Sequence, residues 1–181
     1  MNKSDAGVWR STSVQGTPST PLAPDSNGVT LKKTIWTMSG QPADLANLHQ
    51  NDRVLVELSG QLPNNFYRQM GLIDLLPAGL EIESTLTGDD GKAYPWLDQL
   101  SSTTISDAHD DRFISAFNVG SQYQDTSDEA KKKPEPQPVF HVAYIARAVT
   151  AGTFVLPAGF VEDMYAPSVE SRTDMGSVTI K

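Results

Sequence analysis

The sequence predicts an all-β protein, an antiparallel immunoglobulin-like or macroglobulin-like β-sandwich with long loop insertions. Short segments in which apolar and polar residues alternate recur along the 181 residues. Glycine, proline, asparagine and aspartate clusters separate these segments, and sustained helical periodicity is almost absent. Seven or eight short strands with almost no helix are typical of a sandwich.

In the first half of the chain, three segments are predicted to be strands. An Asn-Gly turn at 27–28 leads into a partly solvated strand over 29–36. Residues 52–62 form the clearest half-buried strand, because apolar residues share one face while Glu57 lies on the other. The apolar members of that face are Val54, Val56, Leu58 and Leu62. A denser apolar run over 69–76 ends at a Pro-Ala-Gly turn, after which a short alternating segment continues.

The middle of the chain is predicted to be mostly loop from 92 to 111, followed by a strand over 112–119. Three large apolar residues within that loop are expected to anchor it onto the sandwich: Trp96, Leu97 and Leu100. Residues 121–138 are rich in charge and proline, which predicts a flexible insertion.

The last third contains the most informative segment, 139–167. Residues 139–149 are apolar on both faces, which predicts a central strand. A Gly-containing turn at 150–153 leads to a return strand at 154–156, which Pro157 ends. The following loop, up to 167, carries exposed-type apolar residues among charges, and such residues are more often contact residues than core. Residues 176–181 predict a terminal edge strand.

This pattern predicts one domain over residues 27–181 and an extended lead-in, residues 1–26, that packs on the domain or flanks it. Against 14 basic residues there are 22 acidic ones, a net charge of -8, so nucleic acid and anionic membrane surfaces are poor partners. The chain has no cysteine and no apolar run long enough to span a bilayer. Either it is cytoplasmic, or it is a fragment whose export signal lies elsewhere.

Candidate catalytic and metal-binding residues are few. One acidic cluster offers the oxygen ligands that calcium prefers, but it lacks an EF-hand pattern, so a solvated loop is the favoured interpretation over a metal site. Its members are Asp107, His109, Asp110 and Asp111. His141, within an apolar strand, is interpreted as a hydrogen-bonded histidine rather than a general base.

Glu162 and Asp163 are neighbours on an extended chain, so their side chains point to opposite faces and cannot act as a catalytic pair. The glycines form neither a phosphate-binding loop nor a dinucleotide fingerprint. The sequence therefore predicts no catalytic residues, no metal and no cofactor, and a protein that is not an enzyme.

Several motifs resemble the C-terminal macroglobulin-like domain of bacterial alpha-2-macroglobulins, and together they cover nearly the whole chain. The two most specific are Leu-Leu-Pro-Ala-Gly-Leu-Glu-Ile at 75–82 and Glu-Asp-Met-Tyr at 162–165. The others are Asn-Gly-Val-Thr at 27–30, Asn-Asp-Arg-Val-Leu-Val at 51–56, Asp-Asp-Arg-Phe at 110–113 and Arg-Ala-Val-Thr-Ala-Gly-Thr-Phe-Val-Leu-Pro-Ala at 147–158.

The resemblance implies a non-enzymatic domain of a periplasmic, broad-spectrum protease-trapping inhibitor that is lipid-anchored to the inner membrane. In such proteins a reactive thioester, built in another domain, captures the protease after bait cleavage. By match of motif, Met164 and Tyr165 would screen the thioester from water, and Glu162 and Asp163 would position their loop. The implied partners are the thioester domain of the same protein and, through the full-length protein, target proteases. Direct membrane contact by this domain is not implied.

From the residues alone, two alternatives remain open. Met164 and Tyr165 could instead fold back onto the domain's own core. The chain could also be a free-standing β-sandwich adhesin or carbohydrate-binding module, which would need a platform of exposed aromatic residues. The three tryptophans, Trp9, Trp36 and Trp96, are scattered in sequence, which does not favour such a platform.

Overall fold

The computed structural model describes residues 7, 9–16, 20–122 and 137–181. Within them lie twelve strands and one 3₁₀ helix, Gly88–Ala93. The strands are β1 Asp25–Asn27, β2 Lys32–Thr37, β3 Arg53–Gln61, β4 Arg68–Leu75, β5 Leu80–Leu86, β6 Thr103–Ala108, β7 Arg112–Val119, β8 Val139–Ala148, β9 Gly152–Leu156, β10 Gly159–Asp163, β11 Ala166–Arg172 and β12 Gly176–Ile180.

The strands form two main sheets and a small third one. The six-stranded sheet has the order β1-β11-β10-β4-β7-β6, the four-stranded sheet β2-β3-β8-β5, and β12 pairs with β9 in a two-stranded sheet. All of these strand pairs are antiparallel. The predicted antiparallel β-sandwich is therefore confirmed.

The main core lies between the facing sides of the two large sheets. Aromatic rings meet across it, with Phe113 packed 4.9 Å from Tyr144 and Phe117 packed 4.9 Å from Phe140, measured between ring centroids. β8 is central in its sheet and buried on both faces along most of its length, as predicted. Antiparallel strands with one face in such a core bury every second side chain, which explains the alternation in β4 and β10.

A buried ion pair also joins the two sheets. Lys33 Nζ on β2 lies 2.7 Å from Asp74 Oδ1 on β4, and the Tyr144 hydroxyl donates to Asp74 Oδ2 over 2.7 Å. Burial raises the pKa of Asp74 despite these partners, and it raises the pKa of Tyr144 well above its usual range. The predicted strand over 29–36 is partly solvated as expected, but Lys33 points into the sandwich.

A second apolar cluster lies on the outer face of the four-stranded sheet. Residues 94–100, called here the cover segment, pack Tyr94, Trp96, Leu97 and Leu100 over Leu55, Leu86, Ala143 and Ile145. A Cβ at Gly40, where φ is +83°, would overlap the Trp96 ring, so the cover segment fits closely against this turn. The predicted anchoring role of Trp96, Leu97 and Leu100 is confirmed.

Four details of the sequence-based prediction need correction. Residues 92–111 are mostly loop, as predicted, but they also contain the strand β6, which the prediction lacks. β9 pairs with β12 and not with β8, so residues 154–156 are not a return strand along β8. The predicted loop over 157–167 contains β10 and the start of β11. β3 is buried on both faces because the cover segment encloses its outer side.

Two further predictions concern the chain ends and the insertion. Asp25 and Ser26, from the predicted lead-in, pair with Arg172 and Ser171 as part of β1. The predicted flexible insertion over 121–138 falls for the most part on residues 123–136, which lie outside the described residues.

Candidate functional site

The turn between β10 and β11 presents Met164 and Tyr165 on the surface. Their exposed fractions are 49% and 80%, so neither side chain folds back into the core. The Met164 N–H donates to the Gln69 carbonyl of the neighbouring strand over 2.9 Å, which fixes the start of the turn to β4. A register shift between Glu162 and Asp163 marks a bulge immediately before the turn. Bulges of this kind commonly redirect a strand end.

Asp163 holds the turn from beneath. Its Oδ1 accepts the backbone N–H groups of Tyr165 at 2.9 Å and Ala166 at 3.2 Å, and its Oδ2 lies 2.7 Å from Arg68 Nη1. Burial by itself raises the pKa of Asp163, but the backbone donors and the Arg68 guanidinium lower it by more. The carboxylate is therefore ionised near neutral pH and fixes the backbone under the two exposed side chains.

The Met164 side chain lies over the outer face of the six-stranded sheet. A Cβ built on Gly71 would be 3.4 Å from Met164 Cε, which is ordinary van der Waals contact. The methionine thus covers the backbone of β4 at a position that has no side chain of its own. Tyr165, by contrast, projects into solvent beyond the sheet.

Glu162 lies on the face opposite Asp163, as expected for neighbours on a strand. Its cross-strand partners are Gly71 on β4 and Glu170 on β11. Within the described part of the chain its side chain makes no hydrogen bond or ion pair, so of the two carboxylates only Asp163 contacts the backbone of the turn.

The acidic cluster over 107–111 forms the end of the β6–β7 hairpin. Asp111 makes two hydrogen bonds with Arg112, at 2.6 and 2.8 Å, and Asp107 lies 3.2 Å from His109. These two carboxylates pair with neighbouring side chains rather than converging on one point. The structure therefore fits the favoured interpretation, a solvated loop.

Among the described residues, one group of side chains brings potential metal-ligand atoms close together: Glu57, Asp98 and His141. His141 Nδ1 donates to Glu57 Oε1 over 2.8 Å, and Trp36 Nε1 donates to Glu57 Oε2 over 2.9 Å. Asp98 Oδ2 lies 4.0 Å from His141 Nε2. Both Glu57 oxygens thus have protein partners, and the predicted hydrogen-bonded role of His141 is confirmed.

In the Glu57–His141 pair, each side chain favours the charged form of the other. The hydrogen bond from His141 lowers the pKa of Glu57 although burial opposes it, and the same bond raises the pKa of His141 above its ordinary value of 6.5. The sequence did not reveal this pair, because 84 residues separate its members. The only available signal was a glutamate at a polar position of a strand whose neighbours are apolar.

Residues 28–168 match the sequence family described as the bacterial alpha-2-macroglobulin MG10 domain. The chain belongs to this family. Alpha-2-macroglobulin of Escherichia coli K12 is 32% identical over 176 residues, an alignment that covers 92% of this chain and 10% of the relative. The chain therefore spans about a tenth of the length of the curated relatives it matches.

Solved structures of bacterial alpha-2-macroglobulins share the fold of this MG10 domain. Escherichia coli alpha-2-macroglobulin activated by porcine elastase has a TM-score of 0.72 and 28% identity, covering 92% of this chain and 14% of that one. Salmonella alpha-2-macroglobulin reacted with methylamine has a TM-score of 0.70 and 28% identity, covering 92% of this chain. Of the described residues, none belongs to a helix long and apolar enough to cross a membrane.

Proposed function

We propose that this MG10 domain is a non-enzymatic part of a periplasmic, protease-trapping alpha-2-macroglobulin and screens the thioester of a neighbouring domain until bait cleavage. The domain extends over residues 27–181, with residues 1–26 as its lead-in. The observation that carries the proposal is the β10–β11 turn, where Met164 and Tyr165 are exposed but fixed from beneath by Asp163.

The physical reason is that a thioester survives in water only if attack on its carbonyl carbon is slowed. A flexible thioether and a phenol ring can exclude water from such a group, and the hydroxyl can orient it. A turn whose backbone is already ordered loses little conformational freedom when it docks. The contacts of Asp163 thus favour a preformed shield over a mobile loop.

The names of the solved relatives support a thioester and a protease-dependent step in the full-length protein. One relative was reacted with methylamine, a small nucleophile, and another was activated by elastase. This chain has no cysteine, so the thiol of the thioester must come from another part of that protein. The 181-residue chain by itself is accordingly expected to leave trypsin and elastase activity unchanged and to form no covalent adduct.

The proposal is tested in the full-length protein with the double substitution Met164→Ala and Tyr165→Ala. Without any protease, methylamine incorporation and thiol release should both accelerate by at least about tenfold, as expected when water and amines reach a group that was enclosed. The matched control is Val139→Ala with Val155→Ala, which removes two exposed side chains elsewhere.

Equal thioester lifetimes in the parent, the control and the double variant would show that the turn does not shield the thioester. Unfolding of the domain by the double variant would show that the two side chains are core residues. Asp163→Asn should reproduce part of the acceleration, since it weakens the support of the turn without removing either exposed side chain.

The packing of the tryptophans does not favour a carbohydrate-binding module. Trp36 and Trp96 are in contact, with ring centroids 5.8 Å apart, and both belong to the apolar cluster that the cover segment forms with the four-stranded sheet. Trp36 also donates to buried Glu57. These two rings stabilise the fold and do not form an exposed stacking platform.

A further inference from the structure

The outer face of the six-stranded sheet carries apolar side chains across four strands. Phe160 on β10 is the cross-strand neighbour of Ile73 on β4, and Ile73 is the neighbour of Ile114 on β7. Leu75 follows two residues after Ile73 on the same face, and Ile105 on β6 pairs with Ala116. We call this the outer stripe: Phe160, Ile73, Leu75, Ile114 and Ile105.

The outer stripe is accessible in this chain. Ile73, Leu75 and Ile105 are 40%, 39% and 51% exposed, while Phe160 and Ile114 are half-buried. An antiparallel sheet that faces water on one side normally carries polar residues there. Contiguous apolar residues across several strands are instead typical of a contact surface.

The outer stripe is continuous with the proposed shielding turn. Met164 lies against Gly71, and Gly71 is the neighbour of Glu162 in the same sheet, one alternating position away from Ile73. A body that touches Met164 and Tyr165 would therefore meet the outer stripe next. The stripe also has a polar rim, with Asp107 and Arg172 at its two ends, as protein interfaces do.

Beside the outer stripe, two carboxylates lie directly opposite each other on neighbouring strands. Glu162 and Glu170 are cross-strand partners on β10 and β11, and neither has an ion-pair partner in the described part of the chain. Like charges at directly opposed positions destabilise a sheet. A lysine or arginine placed between them from outside would remove this repulsion, so the two carboxylates are complementary to a cationic group.

We infer that the outer stripe is a docking surface for a neighbouring domain of the same full-length polypeptide, which presents apolar side chains together with a lysine or arginine between Glu162 and Glu170. The occupant follows from two observations: the relatives are about ten times longer than this chain, and the stripe adjoins the turn proposed to face the thioester domain. The inference rests on the proposed function in that the turn and the stripe contact the same neighbour. The turn acts as the shield, and the stripe supplies the contact area.

Hydroxyl-radical footprinting of the full-length protein tests this inference. In this chain the exposed fractions of Ile73 and Leu75 differ from that of Val155 by less than twofold. In the intact protein, Ile73 and Leu75 should be oxidised at least about fivefold more slowly than Val155, because interface cores pack like protein interiors. Ile73→Arg should raise oxidation of Phe160 and Leu75 at least about threefold, since a buried unpaired charge opposes docking. The matched control is Val155→Arg, which should leave both unchanged.

A second variant probes the charge complementarity without touching the stripe. Glu170→Lys should weaken docking, because it places a cation where the partner's cation is expected. It should therefore raise oxidation of Phe160 in the same direction as Ile73→Arg. Oxidation of Ile73 and Leu75 at the rate of Val155 in the unmodified full-length protein would overturn the inference, as would protection that appears only at concentrations where light scattering detects dimers.

Methylamine uptake keeps the two proposals apart. Slow oxidation of the stripe together with an unchanged thioester lifetime in the Met164→Ala and Tyr165→Ala variant would uphold the docking surface and reject the shield. Fast oxidation of the stripe together with accelerated methylamine uptake in that variant would reject the docking surface and uphold the shield.

Discussion

Both large sheets carry apolar side chains on their outer faces, but these side chains are covered in different ways. On the four-stranded sheet, the cover segment buries Leu55, Ala143 and Ile145 under its own aromatic and aliphatic side chains. On the six-stranded sheet, the outer stripe has no such cover within the described residues. Both faces are apolar, so the difference lies in where the covering surface comes from.

The polar groups of the two faces differ in the same way. On the covered face, buried Glu57 has partners from this chain on both oxygens, His141 and Trp36. On the bare face, Glu162 and Glu170 face each other without a cationic partner among the described residues. Polar groups that have all their partners within the chain indicate a core that this chain completes by itself. Polar groups without partners beside exposed apolar residues indicate a surface that another domain covers.

The largest expected effect on stability comes from truncating one apolar side chain on each of the two faces. Leu100→Ala removes a buried side chain of the cover segment and should lower the free energy of unfolding of the 181-residue chain by about 2–4 kcal/mol. Ile73→Ala on the outer stripe should lower it by less than about 1 kcal/mol, because that side chain already contacts water. Urea unfolding of the two variants checks the difference, and equal losses would mean that the stripe is part of the domain's own core.

A somewhat smaller effect is expected from the buried carboxylate of the covered face. Glu57→Gln keeps the shape of the side chain but weakens the bond from His141, so the free energy of unfolding should fall by about 1–3 kcal/mol. Glu162→Gln, on the bare face, serves as the matched control and should leave stability unchanged or raise it slightly, since it removes a like-charge contact. Chemical unfolding at neutral pH measures both, and a larger loss for the control would contradict the comparison.

On the covered face, the Glu57–His141 pair should make stability depend on pH. Because the folded pKa of His141 is raised above 6.5, its contribution is fully present below pH 6.5 and is lost as the pH rises through the folded value. Because the folded pKa of Glu57 is lowered below 4.5, its contribution is present above pH 4.5 and is lost as the pH falls through the folded value. The pair therefore stabilises fully between these limits.

The measurement is the difference in unfolding free energy between the parent and Glu57→Gln as a function of pH. This difference should be largest between pH 4.5 and 6.5 and should shrink on either side. Asp98, near His141 Nε2, favours the charged imidazole, so Asp98→Asn should move the alkaline limit to lower pH. A difference that is flat across the whole range would show that the pair is not charged.

The sequence predicted those parts of the fold that depend on local alternation. β8 could be recognised because the chain is apolar on both faces from 139 to 149, and the cover segment's anchors could be recognised because large apolar residues stood out in a polar stretch. The burial of Glu57 could not be predicted from the sequence, because the cover segment that encloses this face lies about 40 positions further along the chain. Alternation describes a strand's two faces but not what covers them.

The errors in strand pairing have a similar origin. β6 reads as a polar segment, because this edge strand has Ile105 as its single large apolar residue and packs little of its length. The turn between β8 and β9 predicts that these two strands pair, yet β9 pairs with β12 some 20 residues later. For the candidate site, the motif located Met164 and Tyr165, but the support by Asp163 and Arg68 depends on contacts across 95 residues.

The smallest expected effect concerns the rim of the bare face. In the 181-residue chain, Glu170→Lys replaces a like-charge pair with an opposite-charge pair beside Glu162, which should raise the free energy of unfolding by about 0.2–1 kcal/mol. The gain should shrink in high salt, since both groups are partly exposed to solvent. In the full-length protein the same substitution is expected to loosen docking, so its two effects have opposite signs. If this surface had no partner, the substitution would only raise the free energy of unfolding. Urea unfolding of the 181-residue chain, together with footprinting of the full-length protein, therefore decides whether another domain covers the outer face of the six-stranded sheet.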